Sequence, residues 1–310
     1  MRVLLTGASG SFGTAMMEYL LEDGVEKIVA YSRNESNQAK LRDAMDHPRE
    51  IEWMIGDVRD NERLYDAMHR IDTIIHAAAL KRVESNDPRE LYATNIDGTI
   101  NVVRAAIKRN VPKVLILSTD KACAPATAYG ASKLAAEFYA LYANKWGNPQ
   151  VRISCTRWGN VLGSAGSVVH TWRRQAAAGE PLTITAPEAT RFWITLSQAV
   201  KFTKQALGLM YGGEIFIPQL PASTLQTLAM ATVPGHPHRL IPLRAGEKMH
   251  EVLISGDESH RALLTKDCYV ICASHRHNHQ GTLVGQVSSE RDVRRLSIGE
   301  IQVMLKESGL

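Results

Sequence analysis

The run Thr6-Gly7-Ala8-Ser9-Gly10-Ser11-Phe12-Gly13 follows an apolar segment, Met1-Arg-Val-Leu-Leu, and opens an amphipathic one. Its spacing, GxxGxxG, is a variant of the fingerprint that joins the first strand and first helix of a βαβ unit. Glycine is needed there for a tight turn, for close approach of the backbone to a pyrophosphate, and for packing of helix on strand. The helix N-terminus then offers free N–H groups and the positive end of a dipole. An ordinary glycine-rich βα turn is the plainer reading. The position directly after the first strand favours a nucleotide site instead.

The first half of the chain keeps that rhythm. Short apolar runs predict strands at 3–5, 27–31, 51–54, 73–76, 113–117 and 151–156. Amphipathic stretches predict helices at about 10–21, 35–45, 61–69, 90–108 and 128–146. The order implies an α/β fold with a doubly wound parallel sheet of Rossmann type and right-handed crossovers. Beyond about residue 160 segments shorten and prolines become frequent, so residues 1–160 read as the nucleotide-binding domain. Residues 161–310 read mainly as a smaller lobe for substrate, with room for later segments to rejoin the first domain and a late strand at 267–272. Ser297-Ile-Gly-Glu300 fits a capping box that opens a last helix.

The tail of the second strand bears on the cofactor. An enzyme that takes NAD usually holds the ribose 2′-hydroxyl with an Asp or Glu there. This chain has Tyr31-Ser32-Arg33-Asn34. With no carboxylate and an arginine suited to a 2′-phosphate, the positions predict NADP rather than NAD. Asp57-Val58 after the third strand suits the adenine, and Ala77-Ala78 after the fourth suits close packing on the cofactor. A solvated Asp and a small-residue turn are the plainer alternatives.

Tyr129 and Lys133 are spaced i, i+4 and share one face of a predicted helix. A nearby ammonium lowers a phenol from about 10 towards neutrality, and such a tyrosine takes a proton from an alcohol as hydride leaves its carbon. Ser118-Thr119-Asp120-Lys121 lies just before it.

The net charge of +4 argues against a nucleic-acid binder and suits an anionic substrate. No apolar run is long enough to span a bilayer and no leader pattern is present, so a cytoplasmic enzyme is expected. Cys123, Cys155, Cys268 and Cys272 form no CxxC pair and are expected as free thiols. His275, His277 and His279 lie in a polar segment without an acidic or cysteine complement, so no metal site is expected.

The motifs TGASGSFG, HAAALKRVE (76–84), TNIDGT (94–99), STDKA (118–122), YGASKLAAE (129–137), RWGNVLGSAGSV (157–168), TRFWIT (190–195) and AGEKMHEVLISGDES (245–259) together cover most of the chain. In them the chain resembles the extended short-chain dehydrogenase/reductases, and within these the C5-inverting UDP-N-acetylglucosamine 4,6-dehydratases of the pseudaminic acid type. The resemblance implies a redox-neutral reaction through NADP. Tyr129, held by Lys133, would deprotonate the C4 hydroxyl, with Thr119 bonded to the same oxygen. Asp120 would protonate the departing C6 hydroxyl. Lys121 would remove the C5 proton, which requires its pKa to lie well below the ordinary 10.4. Asn95 would support the active-site lysine. Lys81 would face the sugar beside the cofactor, Asn160 would touch the sugar nucleotide, Arg191 and Arg244 its phosphates, and Glu247 the uridine ribose or a neighbouring loop. For these substrate-side residues a structural ion pair fits as well as ligand contact. A homo-oligomer is the habit of the superfamily.

The chain departs from the family's pattern at Ala165, where an arginine is usual, and at His170, Ala186 and Ala245, as well as at Trp158 and in the stretch 123–127. All of these lie on the substrate side. Two other functions stay open: a sugar-nucleotide 4-epimerase, which needs no Asp-Lys pair, and a non-catalytic NADP-binding scaffold.

Overall fold

The computed structural model describes residues 1–81, 87–164, 166–273, 279–291 and 293–310. His275, His277 and Ala165 therefore lie outside the described residues. The first half alternates as expected. β1 (Arg2–Thr6), α1 (Ser11–Glu22), β2 (Lys27–Ser32), α2 (Glu35–Ala44), β3 (Ile51–Ile55), α3 (Asn61–Ala67) and β4 (Thr73–His76) come first. α4 (Pro88–Tyr92), α5 (Gly98–Arg109), β5 (Lys113–Thr119), α6 (Ala128–Trp146) and β6 (Arg152–Trp158) follow. β1 and β5 read RVLLT and KVLILST and are buried almost throughout. Strands covered by helices on both faces take such unbroken apolar runs.

The predicted helix over 90–108 is three pieces. A π-helical turn, Ala93–Asp97, separates α4 from α5. It buries Thr94 and Asn95 and turns the Asn95 side chain onto Leu80, whose N–H it accepts at 2.8 Å and whose carbonyl it bonds at 3.0 Å. Such bulges recur at functional sites.

The second half continues with β7 (Asn160–Val161), α7 (Val168–Ala177), β8 (Leu182–Ile184), β9 (Thr190–Ile194), α8 (Leu196–Leu209), β10 (Ile215–Ile217), β11 (Ala222–Thr224), α9 (Leu225–Thr232) and β12 (His238–Leu240). β13 (Val252–Ile254), α10 (Gly256–Ser259), β14 (Ala262–Leu264), β15 (Tyr269–Ile271), β16 (Thr282–Leu283), β17 (Val287–Ser288) and α11 (Ile298–Glu307) complete it. The main sheet has ten strands in the order β16-β14-β15-β10-β6-β5-β4-β1-β2-β3. From β3 to β10 every pairing is parallel, and β15, β14 and β16 add antiparallel ribbons at one edge.

Residues after 160 thus do two things. β10 and β14–β16 extend the Rossmann sheet. α8 and β13 also pack into the first core, through residues such as Val200, Phe202, Leu253 and Ile254, while α7, β8, α9 and α11 build a second apolar cluster around Trp172, Leu182, Trp193, Leu228 and Ile301. α11 opens with the expected capping box, in which Ser297 and Glu300 exchange bonds. Among the described residues no helix is long and apolar enough to cross a membrane, and no group of three metal-ligating side chains occurs. The four cysteines are free and buried. His279 packs edge-on against Tyr211 and Phe216, with Nε2 3.5 Å from Glu214.

Candidate active site

The β1–α1 turn is shaped by close approach. Gly7 has φ +71, and a Cβ there would stand 2.8 Å from the Ala78 nitrogen. A Cβ on Gly13 would come within 2.4 Å of the Gly7 oxygen. Gly10 caps α1 with no side-chain acceptor, so the positive end of a 12-residue helix faces the cleft. The cleft holds about 260 Å³ and is lined by Gly7, Ser9–Gly13, Tyr31–Asn34, Gly56, Val58, Ala77–Ala79, Lys81 and Thr94.

At the tail of β2 the Ser32 hydroxyl accepts a bond from Gln38 at 2.9 Å, while Arg33 is exposed and 3.5 Å from Asp57. Asp57 turns towards Arg59, which bonds it at 2.7 and 3.0 Å. Burial pushes the Asp57 carboxyl up, but those bonds outweigh it and hold the group below the ordinary range. Beneath the cleft His76 is buried between the hydroxyls of Thr6, at 2.7 Å, and Thr99, at 3.1 Å. Burial, helped by the Lys133 charge, drives its pKa down to about 3.

The second group of side chains gathers where β5 ends. Asp120–Ala122 forms a 3-10 turn capped by Thr119. Asp120 Oδ1 accepts from the Thr119 hydroxyl at 2.8 Å and from Lys121 Nζ at 2.9 Å. Lys121 Nζ also donates to Asn160 Oδ1 at 2.8 Å, which ties the turn to β7. α6 starts directly against this turn: a Cβ on Gly130 would lie 2.2 Å from the Lys121 carbonyl oxygen. Tyr129 is thereby brought beside Thr119, Asp120 and Lys121. One turn on, the Ser132 hydroxyl donates to the Tyr129 carbonyl at 2.7 Å and accepts from Asn95 Nδ2 at 3.0 Å. Asn95 therefore reaches α6 through Ser132.

The electrostatics correct two expectations. The Tyr129 phenol is not lowered. Burial pushes it up to about 12, against the lowering effects of Lys121 and of the neighbouring Thr119 hydroxyl. The ammonium that acts on the phenol is that of Lys121. Lys133 is buried among His76, Glu137 and Cys155, and burial pulls it below its ordinary value. The Lys121 ammonium is not lowered either. Burial pulls it down, but the Asp120 and Glu251 carboxylates outweigh this and hold it above its ordinary value.

The substrate-side residues separate. Asn160 lies in the cluster. Lys81 lines the cleft, where crowding and the Lys121 charge pull its ammonium down. Arg191 is buried and bonds the carbonyls of Thr190 and Met249 at 2.8 and 3.1 Å. Its other nitrogen is 3.2 Å from Glu247, which also accepts from the Thr185 hydroxyl at 3.0 Å. Both are thus engaged within the protein. Arg244 is exposed at the start of the same loop.

Residues 3–273 match the family of polysaccharide biosynthesis proteins. The chain belongs to that family. It is 44% identical over 277 residues to the UDP-N-acetylglucosamine 4,6-dehydratase (inverting) of Campylobacter jejuni, covering 88% of this chain and 83% of that protein. It is 38% identical over 280 residues to a UDP-glucose 4-epimerase of Rickettsia conorii, covering 87% and 82%. The X-ray structure of Pen from Bacillus thuringiensis superposes with a TM-score of 0.92 at 32% identity, covering 99% of this chain and 97% of that one. The resemblance read from the motifs and the Rossmann-type fold are thereby borne out.

Three structural groups escaped the sequence. Arg157 is fully buried and bonds Glu137 at 2.6 Å and Glu258 at 2.9 Å, clamping α6 to β6 and α10. It stood in view only as the first letter of RWGNV. Ser132 lies inside YGASK, and its link to Asn95 depends on the π turn. Glu251 closes the quoted GEKMHE run and faces Lys121, but nothing in its spacing tells where a loop 130 residues on will fold.

Proposed function

We propose that the protein is an NADP-dependent lyase that converts UDP-N-acetylglucosamine, or a close UDP-HexNAc, to a UDP-4-keto-6-deoxy-hexosamine with inversion at C5. The observation that carries this reading is the joining of Thr119, Asp120, Lys121 and Tyr129 in one cluster next to a dinucleotide-shaped cleft. A 4-epimerase needs the tyrosine but has no use for an acid/base pair on the next strand end. The glycine turn and the unfilled end of α1 fit a pyrophosphate, and Arg33 fits a 2′-phosphate with no carboxylate on β2 to oppose it.

NADP, when bound, supplies a hydride acceptor for C4 and a hydride donor for C6. Tyr129, whose phenolate the Lys121 charge favours against burial, takes the C4 hydroxyl proton, and Thr119 hydrogen-bonds the same oxygen. The resulting 4-ketone acidifies C5, and Lys121 removes its proton while Asp120 is protonated, when the Asp120 charge no longer favours the ammonium. Asp120 protonates the C6 hydroxyl, which leaves as water. Lys121 then helps place a proton back on C5. Lys133 acts from beneath the cofactor site. Arg244, Arg191 and Glu247 belong to the phosphate and ribose end, where the last two act by shaping the loop as much as by contact. We take the enzyme to work as a cytoplasmic homo-oligomer.

The test is incubation with UDP-N-acetylglucosamine and NADP. The expected product is lighter by one water, carries a 4-keto group and has gained solvent deuterium at C5. An isomer of unchanged mass would favour the 4-epimerase, a reading that the 38% identity to the Rickettsia protein keeps in play.

A further inference from the structure

Residues 244–251 run from the end of β12 back across the acid/base cluster. Gly246 makes this possible: it has φ +78, and a Cβ there would lie 2.6 Å from the Ala126 oxygen. Lys248 Nζ donates to the Cys123 carbonyl at 2.9 Å, which pins the loop to the stretch after the 3-10 turn. Glu251 is then held by one residue on both sides of its backbone. Its N–H donates to Ser289 Oγ at 2.8 Å, and its carbonyl accepts from the Ser289 N–H at 2.8 Å. Ser289 in turn bonds the Thr190 carbonyl at 3.1 Å.

The clamped backbone leaves the Glu251 side chain buried and turned into the cluster. Oε1 is 3.8 Å from Lys121 Nζ, and Oε2 is 3.6 Å from Lys248 Nζ. Oε2 is fully buried and accepts no hydrogen bond. A buried carboxylate with an unfilled acceptor is costly unless charge around it compensates. The groups that face Lys121 are Asp120 from its own turn, Tyr129 from α6, Asn160 from β7, Lys81 after β4 and Glu251. Those that face Glu251 are Asp120, Lys121, Lys248 and Arg191.

We propose that Glu251 is a positioning residue for Lys121: it completes an Asp120–Lys121–Glu251 row, and its charge sets the pH at which the Lys121 amine is free to take the C5 proton. The proposal rests on Lys121 being the C5 base. Its logic is electrostatic. A base needs a lone pair, and each neighbouring carboxylate favours the ammonium instead. When Asp120 carries the proton destined for the C6 oxygen, its charge is gone. Glu251 is then the remaining carboxylate of the row. Burial, then the Asp120 charge, push the Glu251 carboxyl itself above the ordinary range, and the Lys121, Lys248 and Arg191 charges act against this. Lys248 opposes that protonation from the far side. The loop of the second half thus tunes a base supplied by the first.

The measurement is solvent deuterium incorporation at C5 of UDP-N-acetylglucosamine against pH, in the NADP-loaded enzyme. Glu251→Gln removes the charge and keeps the shape. The midpoint of the acidic limb should fall by about one pH unit, since the ammonium loses an opposite charge within reach. Glu251→Asp keeps a carboxylate and should hold the midpoint near that of the unaltered enzyme. Glu251→Met also removes the charge and should move the midpoint the same way, and it carries the test if Glu251→Gln fails to fold. A midpoint that stays in place or rises in Glu251→Gln or Glu251→Met overturns the proposal, as does Glu251→Asp shifting as far as Gln. If Lys121→Ala still exchanges at C5, the reading of Lys121 fails first. If Lys121→Ala is silent while Glu251→Gln leaves the midpoint unmoved, only the role of Glu251 fails.

Discussion

The glycine-lined cleft and the charged cluster beside it are neighbours built on opposite plans. The cleft is made of backbone. Its shape comes from Gly7, Gly10 and Gly13 in one turn, Ala77 and Ala78 at the end of β4, and the positive end of α1. The cluster is made of charges delivered by separate segments: the turn after β5, the first turn of α6, β7 and the loop before β13. In the cleft, geometry is decided by what cannot fit, so an added methyl group is enough to spoil it. In the cluster, geometry is decided by which ion pairs close, so a change of protonation is enough. The first kind of site is set locally, and the second is set only when distant segments meet.

The largest expected effect lies in the cluster. Lys121→Ala should reduce dehydration by about 10²–10⁴-fold, the usual worth of a placed acid or base. Some C4 oxidation should persist, seen as build-up of reduced cofactor. Unaltered dehydration would remove Lys121 from the mechanism and leave the cluster a mere salt bridge.

The support of the cluster should be almost as sensitive, through folding. Arg157→Met leaves Glu137 and Glu258 facing each other without their cation. A loss of about 3–5 kcal/mol is expected, read from denaturant unfolding. A loss under 1 kcal/mol would mean that the clamp on α6 is dispensable.

A pH effect tests the floor of the cleft. His76 titrates near 6.5 when unfolded and at about 3 when folded. Between those values the unfolded chain binds the extra proton, so stability should rise with pH across this window and fall as pH drops through it. The slope should approach about 1.4 kcal/mol per pH unit from this one group. His76→Gln should flatten that part of the profile, and an unchanged slope would place the acid sensitivity elsewhere.

The smallest effect is expected at the rim. Arg33→Ala should cost the preference for NADPH over NADH about tenfold, the worth of one exposed charge-assisted contact. Equal cofactor affinities before and after would show that Arg33, already 3.5 Å from Asp57, serves only that ion pair.

The contrast also explains what a reader of the sequence can find. β1–β6, α1–α3 and α6 are legible because long apolar runs and helical periods announce them, and α6 coincides with its expected bounds, Ala128–Trp146. The region 90–108 reads as one helix because a π turn leaves the hydrophobic pattern nearly unbroken. Of the sheet's extension, β15 was legible as the late strand at 267–272, whereas β10, β14 and β16 were not, since strands of two or three residues carry too little alternation to register. The residues of the cluster could be named from their motif. Their protonation could not, because it depends on Glu251, which reaches Lys121 only through the folding of a remote loop.

The clasp between Ser289 and Glu251 gives the cluster an order of assembly in time. Chains emerge from the ribosome at about 5–20 residues per second and begin folding from the N-terminus. The glycine turn of the cleft and its β4 neighbour are available once fewer than a third of the residues have been made. The carboxylate that tunes Lys121 has its backbone fastened only after residue 289 has appeared. During synthesis the glycine turn and its β4 neighbour are therefore made well before the Ser289 clasp on Glu251 is able to close, and the cluster waits on one of the later segments of the chain.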